Sequence, residues 1–106
     1  MVKRGEVWLA TLDPTIGSEI RKTRPCLIVS PPEIHDHLRT VIVAPMTSAS
    51  RPAGFRVPIS FAGTNGLVLA EQVRALDKRR LVKRVGEVPP AVLSRVLAVL
   101  RETFED

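Results

Sequence analysis

Cysteine and aromatic residues are scarce in this chain. Its 106 residues include one cysteine, one tryptophan, three phenylalanines and no tyrosine. A single cysteine excludes a disulfide within the chain, which fits a reducing compartment. That residue, Cys26, lies in an apolar run, where we expect a buried and inert thiol. So few aromatic side chains argue against a platform on which nucleic-acid bases stack.

Long apolar runs and cofactor motifs are also missing. No segment approaches the roughly 20 apolar residues of a membrane-spanning helix, and the first residues do not lead into the apolar stretch of a secretory signal. We therefore expect a cytoplasmic protein that does not bind a membrane. There is no glycine-rich nucleotide loop. The spacing of His35-Asp36-His37 matches no standard zinc site, so we interpret residues 35–37 as an exposed loop and expect no metal or other cofactor.

Positive charge is present in excess. The formal net charge is +5, and a basic surface favours an anionic partner such as nucleic acid or an acidic protein segment. The densest basic cluster can track a nucleic-acid backbone, or it can be a solvated strand edge whose charges deter aggregation. Its members are Arg74, Lys78, Arg79, Arg80, Lys83 and Arg84.

Short β-rich segments separated by turn signals make up most of the chain. Pro58 indicates an edge strand, Asn65-Gly66 indicates a tight turn, and the fifth and sixth segments can be one bent strand. We read residues 33–39 as loop. The predicted strands cover residues 6–12, 26–30, 40–45, 55–59, 66–69, 72–76 and 83–88.

A helix is predicted to follow Pro89-Pro90, because proline is tolerated in the first helical turn. Apolar residues then recur at helical spacing and form one stripe; they are Val92, Leu93, Val96, Leu97 and Leu100. We therefore predict a mainly β fold, a small and partly closed barrel with a C-terminal helix packed on it. The chain length fits a single domain over residues 1–106.

Two polar loops follow or precede buried strands, where a rigid scaffold can present polar groups. Arg24 ends the first loop, and its guanidinium can fork onto phosphate oxygens; alternatively it is a surface arginine paired with Glu19. Thr47 and Ser48 begin the second loop, where hydroxyls can donate to an anion or cap their own turn. These residue types suit phosphodiester chemistry.

Further polar candidates surround these residues. Ser18 follows Gly17 and offers a donor, Glu19 offers a general base, and Glu71, next to Gln72, is a second carboxylate. Each of them can equally be a solvated loop or strand residue. No histidine neighbours Ser18 in sequence, so a Ser-His-Asp hydrolase has little support.

Several segments together resemble the MazF/PemK toxins of bacterial toxin–antitoxin pairs. Their order and spacing cover nearly the whole chain, and they are specific only when taken jointly. The segments are Arg4-Gly5-Glu6-Val7-Trp8, Asp13-Pro14-Thr15, Gly17-Ser18-Glu19, residues 23–30, Pro45-Met46-Thr47-Ser48 and residues 66–77.

The resemblance implies an SH3-like barrel of the CcdB/PemK type that forms a homodimer. Family members cleave single-stranded RNA without a metal: a 2′-hydroxyl attacks its neighbouring phosphate and leaves a 2′,3′-cyclic phosphate and a 5′-hydroxyl. A cognate antitoxin blocks the RNA groove with an acidic, largely disordered segment. The family's active arginine falls on Arg24 and its active threonine on Thr47. Neighbouring donors fall on Ser18 and Ser48, and the loop carboxylate falls on Glu19.

One departure from the family pattern affects the expected mechanism. In some members an Arg-x-Asp pair supplies acid and base, whereas this chain has Leu69 and Glu71 at those positions. The departure favours Arg24 and Thr47 as the main catalytic residues. Glu19 or Glu71 is then the candidate base, since a guanidinium rarely gives up its proton. We expect loop residues 15–23 and 49–54 to set RNA recognition. The residues expected to bind the RNA are Glu71, Gln72, Arg74, Lys22 and Arg51.

Two other functions stay open from the sequence. The same barrel occurs in gyrase-poisoning toxins of the CcdB kind, which bind their target without cleaving RNA. A further alternative is an inactive relative that keeps only antitoxin or nucleic-acid binding.

Overall fold

A curled antiparallel sheet forms the body of the structure, a computed structural model that describes residues 2–106. The strands are β1 (Glu6–Thr11), β2 (Thr23–Ile28), β3 (Thr40–Thr47), β4 (Arg56–Phe61), β5 (Thr64–Leu69), β6 (Arg74–Asp77) and β7 (Leu81–Glu87). The helices are α1 (Pro32–His35) and α2 (Pro90–Phe104), and the 3₁₀ turns are Ala70–Gln72 and Lys78–Arg80. The predicted mainly β fold with a C-terminal helix is confirmed.

Strand β3 is the centre of the sheet. The strand order is β4-β5-β3-β2-β1-β7, and β6 also pairs with β3. β5 and β6 therefore follow one another along β3, on the side away from β2. β4 and β7 lie at the two ends of the order, so the prediction that Pro58 marks an edge strand is confirmed.

Strands β5 and β6 correspond to the predicted segments 66–69 and 72–76. Both pair antiparallel with β3, with Thr47 opposite Leu67 and Val43 opposite Arg74. They are two strands rather than one, because the 3₁₀ turn Ala70–Gln72 separates them. Side chains of this turn are hydrogen-bonded to the loop before β2 and to the first residue of β4.

The β4–β5 hairpin turns three residues earlier than predicted. Ala62 and Gly63 have positive φ angles of 52° and 79° and make the turn, while Asn65 and Gly66 lie inside β5. The prediction of a tight turn at Asn65-Gly66 is therefore wrong. The pairing of Ser60 with Asn65 and Ile59 with Gly66 outweighs the local turn preference.

The segment 33–39 also differs from its prediction as a loop. Residues 32–35 form the short helix α1, and His35 within it is 1% exposed. The ring Nδ1 of His35 lies 2.8 Å from Ser30 Oγ, which also accepts a hydrogen bond from the N–H of Ile42. The expectation of an exposed loop is thus wrong for His35 and holds for Asp36 and His37, which are exposed.

The core lies on both faces of the sheet. Along β2, Leu27 packs in the cluster under α2, whereas Cys26 and Ile28 pack in a second cluster on the opposite face. Such two-sided burial explains the continuous apolar run in the sequence. Burial raises the pKa of the Cys26 thiol to about 12, with the charge of Arg74 acting in the opposite direction.

Helix α2 packs its apolar stripe on the first cluster, as its spacing predicts. Val96 is fully buried, and the other members of the stripe pack against the cluster as partly buried residues. No helix among the described residues combines the length and apolar character needed to cross a bilayer.

Candidate active site

Strands β2 and β3 bring Arg24 and Thr47 to the same place. Their pairing stops at Cys26 opposite Pro45. The same register continued by two residues sets Arg24 opposite Thr47. Pro25, between Arg24 and Cys26, has no N–H to continue the ladder, and the two strands are no longer paired here.

A cavity of about 340 Å³ occupies the space where this pairing has ended. Arg24, Thr47 and Ser48 lie on its wall, so the structure brings three of the predicted site residues together. The rest of the lining is mainly apolar and comes from six strands and the β4–β5 turn. It consists of Leu9, Pro25, Met46, Ile59, Phe61, Ala62, Thr64, Gly66, Leu67 and Val85.

Thr47 is fixed by its position at the end of β3. It is 8% exposed, and its Oγ1 accepts a hydrogen bond of 3.1 Å from the N–H of Ala49. The hydroxyl therefore caps the start of the following loop, while its own hydrogen stays available to donate. Ser48, the next residue, is exposed on the rim of the cavity.

Gly66 lets β5 approach the backbone of Thr47 closely. A Cβ at position 66 would lie 2.7 Å from the carbonyl oxygen of Thr47 and 3.3 Å from its carbonyl carbon. No side chain fits against backbone atoms at that distance, so the position requires glycine. Gly66 thus serves the placement of Thr47, not the turn for which the sequence suggested it.

Arg24 reaches the cavity from the second residue of β2, directly after the first polar loop. Its Nε donates to the carbonyl oxygen of Arg21 at 3.0 Å, which orients the guanidinium and leaves Nη1 and Nη2 for a ligand. The alternative of an ion pair with Glu19 is not seen among residues 2–106, since Glu19 Oε1 accepts from the N–H of Ile16 at 2.7 Å. A partly exposed guanidinium that lines one cavity with two hydroxyl residues suits a phosphate group.

A second cavity, of about 460 Å³, collects four other predicted site residues. They are Glu19, Glu71, Gln72 and Arg74. Gln72 Oε1 accepts a 2.9 Å hydrogen bond from the N–H of Ile20, so it anchors the loop before β2. Pro45 lines this second cavity, and Met46 and Thr47 line the first, so the two cavities lie at successive residues of β3.

Glu71 is held by an arginine that the sequence analysis did not single out. Nη2 of Arg56 lies 2.7 Å from Glu71 Oε2, and Nε of Arg56 lies 3.0 Å from the same oxygen. Arg56 on β4 is paired with Leu69 on β5. A guanidinium thus reaches Glu71 from the strand paired with position 69, and only the strand register could have revealed this contact.

Three predicted residues line neither cavity. Ser18, Lys22 and Arg51 are exposed on the two polar loops. Lys22 has a φ angle of 69°, and its N–H donates to Asp13 Oδ1 at 3.2 Å, so its backbone closes the base of the first loop. In this conformation the structure does not bring Ser18 to Arg24 and Thr47.

Most of the basic cluster is engaged within the protein. Arg74 and Arg80 donate to carbonyl oxygens of the β1 end, and Lys78 donates to the carbonyl oxygen of His35. Arg79 pairs with Asp77, whose pKa falls to about 2 because Arg79 donates hydrogen bonds to it. These contacts favour the interpretation of this cluster as a structural strand edge.

Metal-ligating side chains are dispersed over the described part of the chain. No group of three or more His, Cys, Asp or Glu residues there comes together in a way that could hold an ion.

The fold and the cavity define a small, curled β-barrel with a cleft that carries a cation and hydroxyl groups. The chain belongs to the family of PemK-like, MazF-like toxins of type II toxin–antitoxin systems, whose model matches residues 3–104. This confirms the resemblance seen in the sequence.

Similar proteins extend this comparison. Endoribonuclease PemK of Escherichia coli is 42% identical over 105 residues, which cover 93% of this chain and 79% of that protein. MazF (Form-I) from Deinococcus radiodurans matches with a TM-score of 0.88 and 28% identity over 99% of this chain and 97% of that one. An endoribonuclease from a mycobacterial species, solved with its cognate antitoxin, has a TM-score of 0.80 and 25% identity, covering 96% and 93%.

Proposed function

We propose that this chain is a toxin that cleaves single-stranded RNA at specific short sequences and is neutralised by a cognate antitoxin. Family membership supports it, as does the relative from Escherichia coli, which is an endoribonuclease. The observation that carries the proposal is the shared cavity of Arg24 and Thr47. A gyrase poison that only binds its target would not need these two side chains together.

The proposed reaction is an internal transfer at the phosphate. The ribose 2′-oxygen bonds to the adjacent phosphorus as the bond to the 5′-oxygen breaks, giving a 2′,3′-cyclic phosphate and a 5′-hydroxyl. Negative charge rises on the non-bridging oxygens, where Arg24 supplies a permanent cation and Thr47 and Ser48 donate hydrogen bonds. One proton leaves the 2′-hydroxyl and one is delivered to the 5′-oxygen.

The acceptor of the first proton is assigned to Glu19. Glu71 Oε2 already accepts two hydrogen bonds from Arg56, whereas Glu19 has no cationic partner among residues 2–106 and lies on an exposed loop. This loop leads directly to Arg24. When RNA binds, the loop has to bring Glu19 from the second cavity towards the cavity of Arg24 and Thr47. Catalytic contacts often tighten in this way only in the substrate complex. Ser18, Lys22, Glu71, Gln72, Arg74 and Arg51 are assigned to binding the flanking nucleotides.

The proposed partners follow from family and charge. An acidic, disordered antitoxin segment matches the net charge of +5, and the mycobacterial structural neighbour was solved with its antitoxin.

We also propose a homodimer, since Val82 is 60% exposed and Phe104 is 75% exposed. A single species of 11.7 kDa in light scattering at micromolar concentration would exclude this dimer. The protein acts in the cytoplasm, where its RNA substrate is found.

The decisive experiment incubates the purified protein with RNA of mixed sequence in EDTA and sequences the fragment ends. We expect cuts at a short motif with 2′,3′-cyclic phosphate and 5′-hydroxyl ends, and their loss in Arg24→Ala. Arg95 is an exposed arginine on α2 that lines neither cavity. Arg95→Ala is therefore the matched control and should cut RNA like the wild type. Uncut RNA, or cutting that Arg24→Ala leaves unchanged, would reject the proposal.

A further inference from the structure

The guanidinium of Arg56 joins two parts of the protein. On one side, Nε and Nη2 donate to Oε2 of Glu71 at 3.0 and 2.7 Å. On the other side, Nη1 donates to the carbonyl oxygen of Arg51 at 2.9 Å. The guanidinium also lies over the ring of Phe55, 5.7 Å from its centroid. All three nitrogens are engaged, so the side chain is held in one orientation.

The two groups that Arg56 joins are the loop after β3 and the 3₁₀ turn Ala70–Gln72. The loop, residues 48–55, begins next to Thr47, whose hydroxyl holds the N–H of Ala49 at 3.1 Å. Arg56 therefore fixes the middle of a loop that Thr47 fixes at its start. The loop leaves the wall of the first cavity at Ser48.

The 3₁₀ turn is also the anchor of the other polar loop. Gln72, next to Glu71, accepts from the N–H of Ile20 at 2.9 Å. Both polar loops are thus attached to neighbouring residues of one short turn. The attachment to the loop after β3 depends on Arg56, which among residues 2–106 is the side chain hydrogen-bonded to both the turn and the loop.

Stability does not account for this arrangement. Arg56 and Glu71 are 22% and 30% exposed, and ion pairs near the surface contribute little to folding. A three-way fork instead defines the position of the groups it holds, which a single ammonium cannot do. A binding loop fixed in advance loses less entropy when its ligand arrives.

We propose that Arg56 is a positioning residue for RNA recognition. It holds loop 48–55 against the turn Ala70–Gln72 and so determines the position of the loop beside Thr47 and Ser48. The inference rests on the proposed function, because it assigns a role in selecting that RNA. Arg24 and Thr47 stay on their strands without Arg56, so the effect falls on binding and sequence preference.

The first test measures loop order and needs no RNA. Hydrogen–deuterium exchange is compared for the wild type, Arg56→Ala and the control Arg95→Ala. We expect faster exchange in residues 48–55 of Arg56→Ala alone, with α2 unchanged in every variant. Equal exchange of the loop in wild type and Arg56→Ala would overturn the proposal.

The second test measures cleavage. For Arg56→Ala we expect KM to rise about tenfold, because ordering one or two side chains on binding costs about that much affinity. We expect kcat to stay within about threefold of the wild type and the set of cut sites to become broader. Arg56→Lys keeps the charge and the fold but cannot hold both partners, so it should show the same broadening. Unchanged sites and KM, or a loss of kcat alone, would overturn the proposal. RNA left intact by the wild type would reject the nuclease function instead, and hydrogen exchange would still decide the role of Arg56.

Discussion

Arg24 and Thr47 lie opposite each other, two residues beyond Cys26 and Pro45, the last paired residues of β2 and β3. The cavity they share is lined by residues of this unpaired end and by Ser48, together with β1, the β4–β5 hairpin and β7. The cleft is thus a consequence of where strand pairing stops. A cation from one strand and a hydroxyl from the other face the same space because the register puts them there.

The first prediction concerns the hydroxyl of Thr47. Thr47→Val keeps the shape of the side chain but removes both its donor and the acceptor for the N–H of Ala49, so we expect RNA cleavage under single-turnover conditions to slow by about 100- to 1000-fold. Thr47→Ser keeps the hydroxyl and should retain activity within about tenfold, since a missing methyl group affects packing alone. Equal rates for Thr47→Val and the wild type would show that the hydroxyl takes no part.

The second prediction concerns Gly66. A Cβ there would meet the carbonyl oxygen of Thr47 at 2.7 Å, so Gly66→Ala has to push β5 and β3 apart. We expect a loss of about 2 kcal/mol in the free energy of unfolding and a fall in cleavage rate, because Thr47 moves with its backbone. Urea denaturation and RNA cleavage measure the two effects.

Gly54 offers the matched control for this substitution. A Cβ at Gly54 has no neighbour within 4 Å, so Gly54→Ala should change the free energy of unfolding by about 0.5 kcal/mol or less. If Gly66→Ala were equally mild, the close approach to Thr47 would not constrain the site.

The strands and α2 could be predicted because their signals are local. The apolar run around Leu27 and the helical spacing around Val96 reflect which faces are buried, and those faces determine the elements. The buried state of His35 could not be predicted, since the mixed polar and apolar residues around it form no regular burial pattern. It depends on the contact with Ser30 across the end of β2.

The candidate site was predictable to a similar extent. The motifs indicated Arg24 and Thr47, and the structure brings both to one cavity. The contact between Arg56 and Glu71 has no local sequence signal, because it depends on the pairing of Arg56 with Leu69. Non-local register is the information that a single sequence carries least directly.

The third prediction concerns Glu6 and acid stability. Its side chain is 7% exposed. Burial alone would raise the pKa of Glu6, but hydrogen bonds from Arg84, the N–H of Lys3 and Trp8 outweigh it and lower the pKa below the ordinary value of 4.5. A lowered pKa means that the carboxylate stabilises the fold above pH 4.5, and that this contribution disappears as the pH falls through the folded-state pKa.

Urea denaturation of Glu6→Gln across pH measures this contribution. At pH 7 we expect the variant to lose about 1 to 2 kcal/mol of unfolding free energy, the scale of hydrogen bonds to a charged group. The difference from the wild type should shrink as the pH falls below about 4, when the wild-type carboxylate protonates as well. A difference that stays constant with pH would show that the charge of Glu6 is irrelevant.

The fourth prediction concerns the thiol of Cys26. Because burial raises its pKa to about 12, the thiol is protonated at neutral pH and unreactive. We expect Ellman's reagent to label the folded protein negligibly within an hour and to label it at once in denaturant. Rapid labelling of the folded protein would mean that the core cluster around Cys26 opens readily.

The last prediction separates the roles of Glu19 and Glu71. Removing a general base typically slows a reaction about 100- to 10,000-fold, so Glu19→Gln should lower kcat by at least about 100-fold and leave KM nearly unchanged. Glu71→Gln keeps the shape of a group that Arg56 holds at 2.7 Å, and its weaker contact should raise KM while kcat stays within about tenfold. The two carboxylates line the same cavity, so any general effect of lost negative charge would appear equally in both variants. The opposite assignment, with kcat lost in Glu71→Gln and retained in Glu19→Gln, would make Glu71 the proton acceptor. Arg56 donates to Oε2 of Glu71, so the proton of the 2′-hydroxyl would then pass to Oε1 of the same carboxylate.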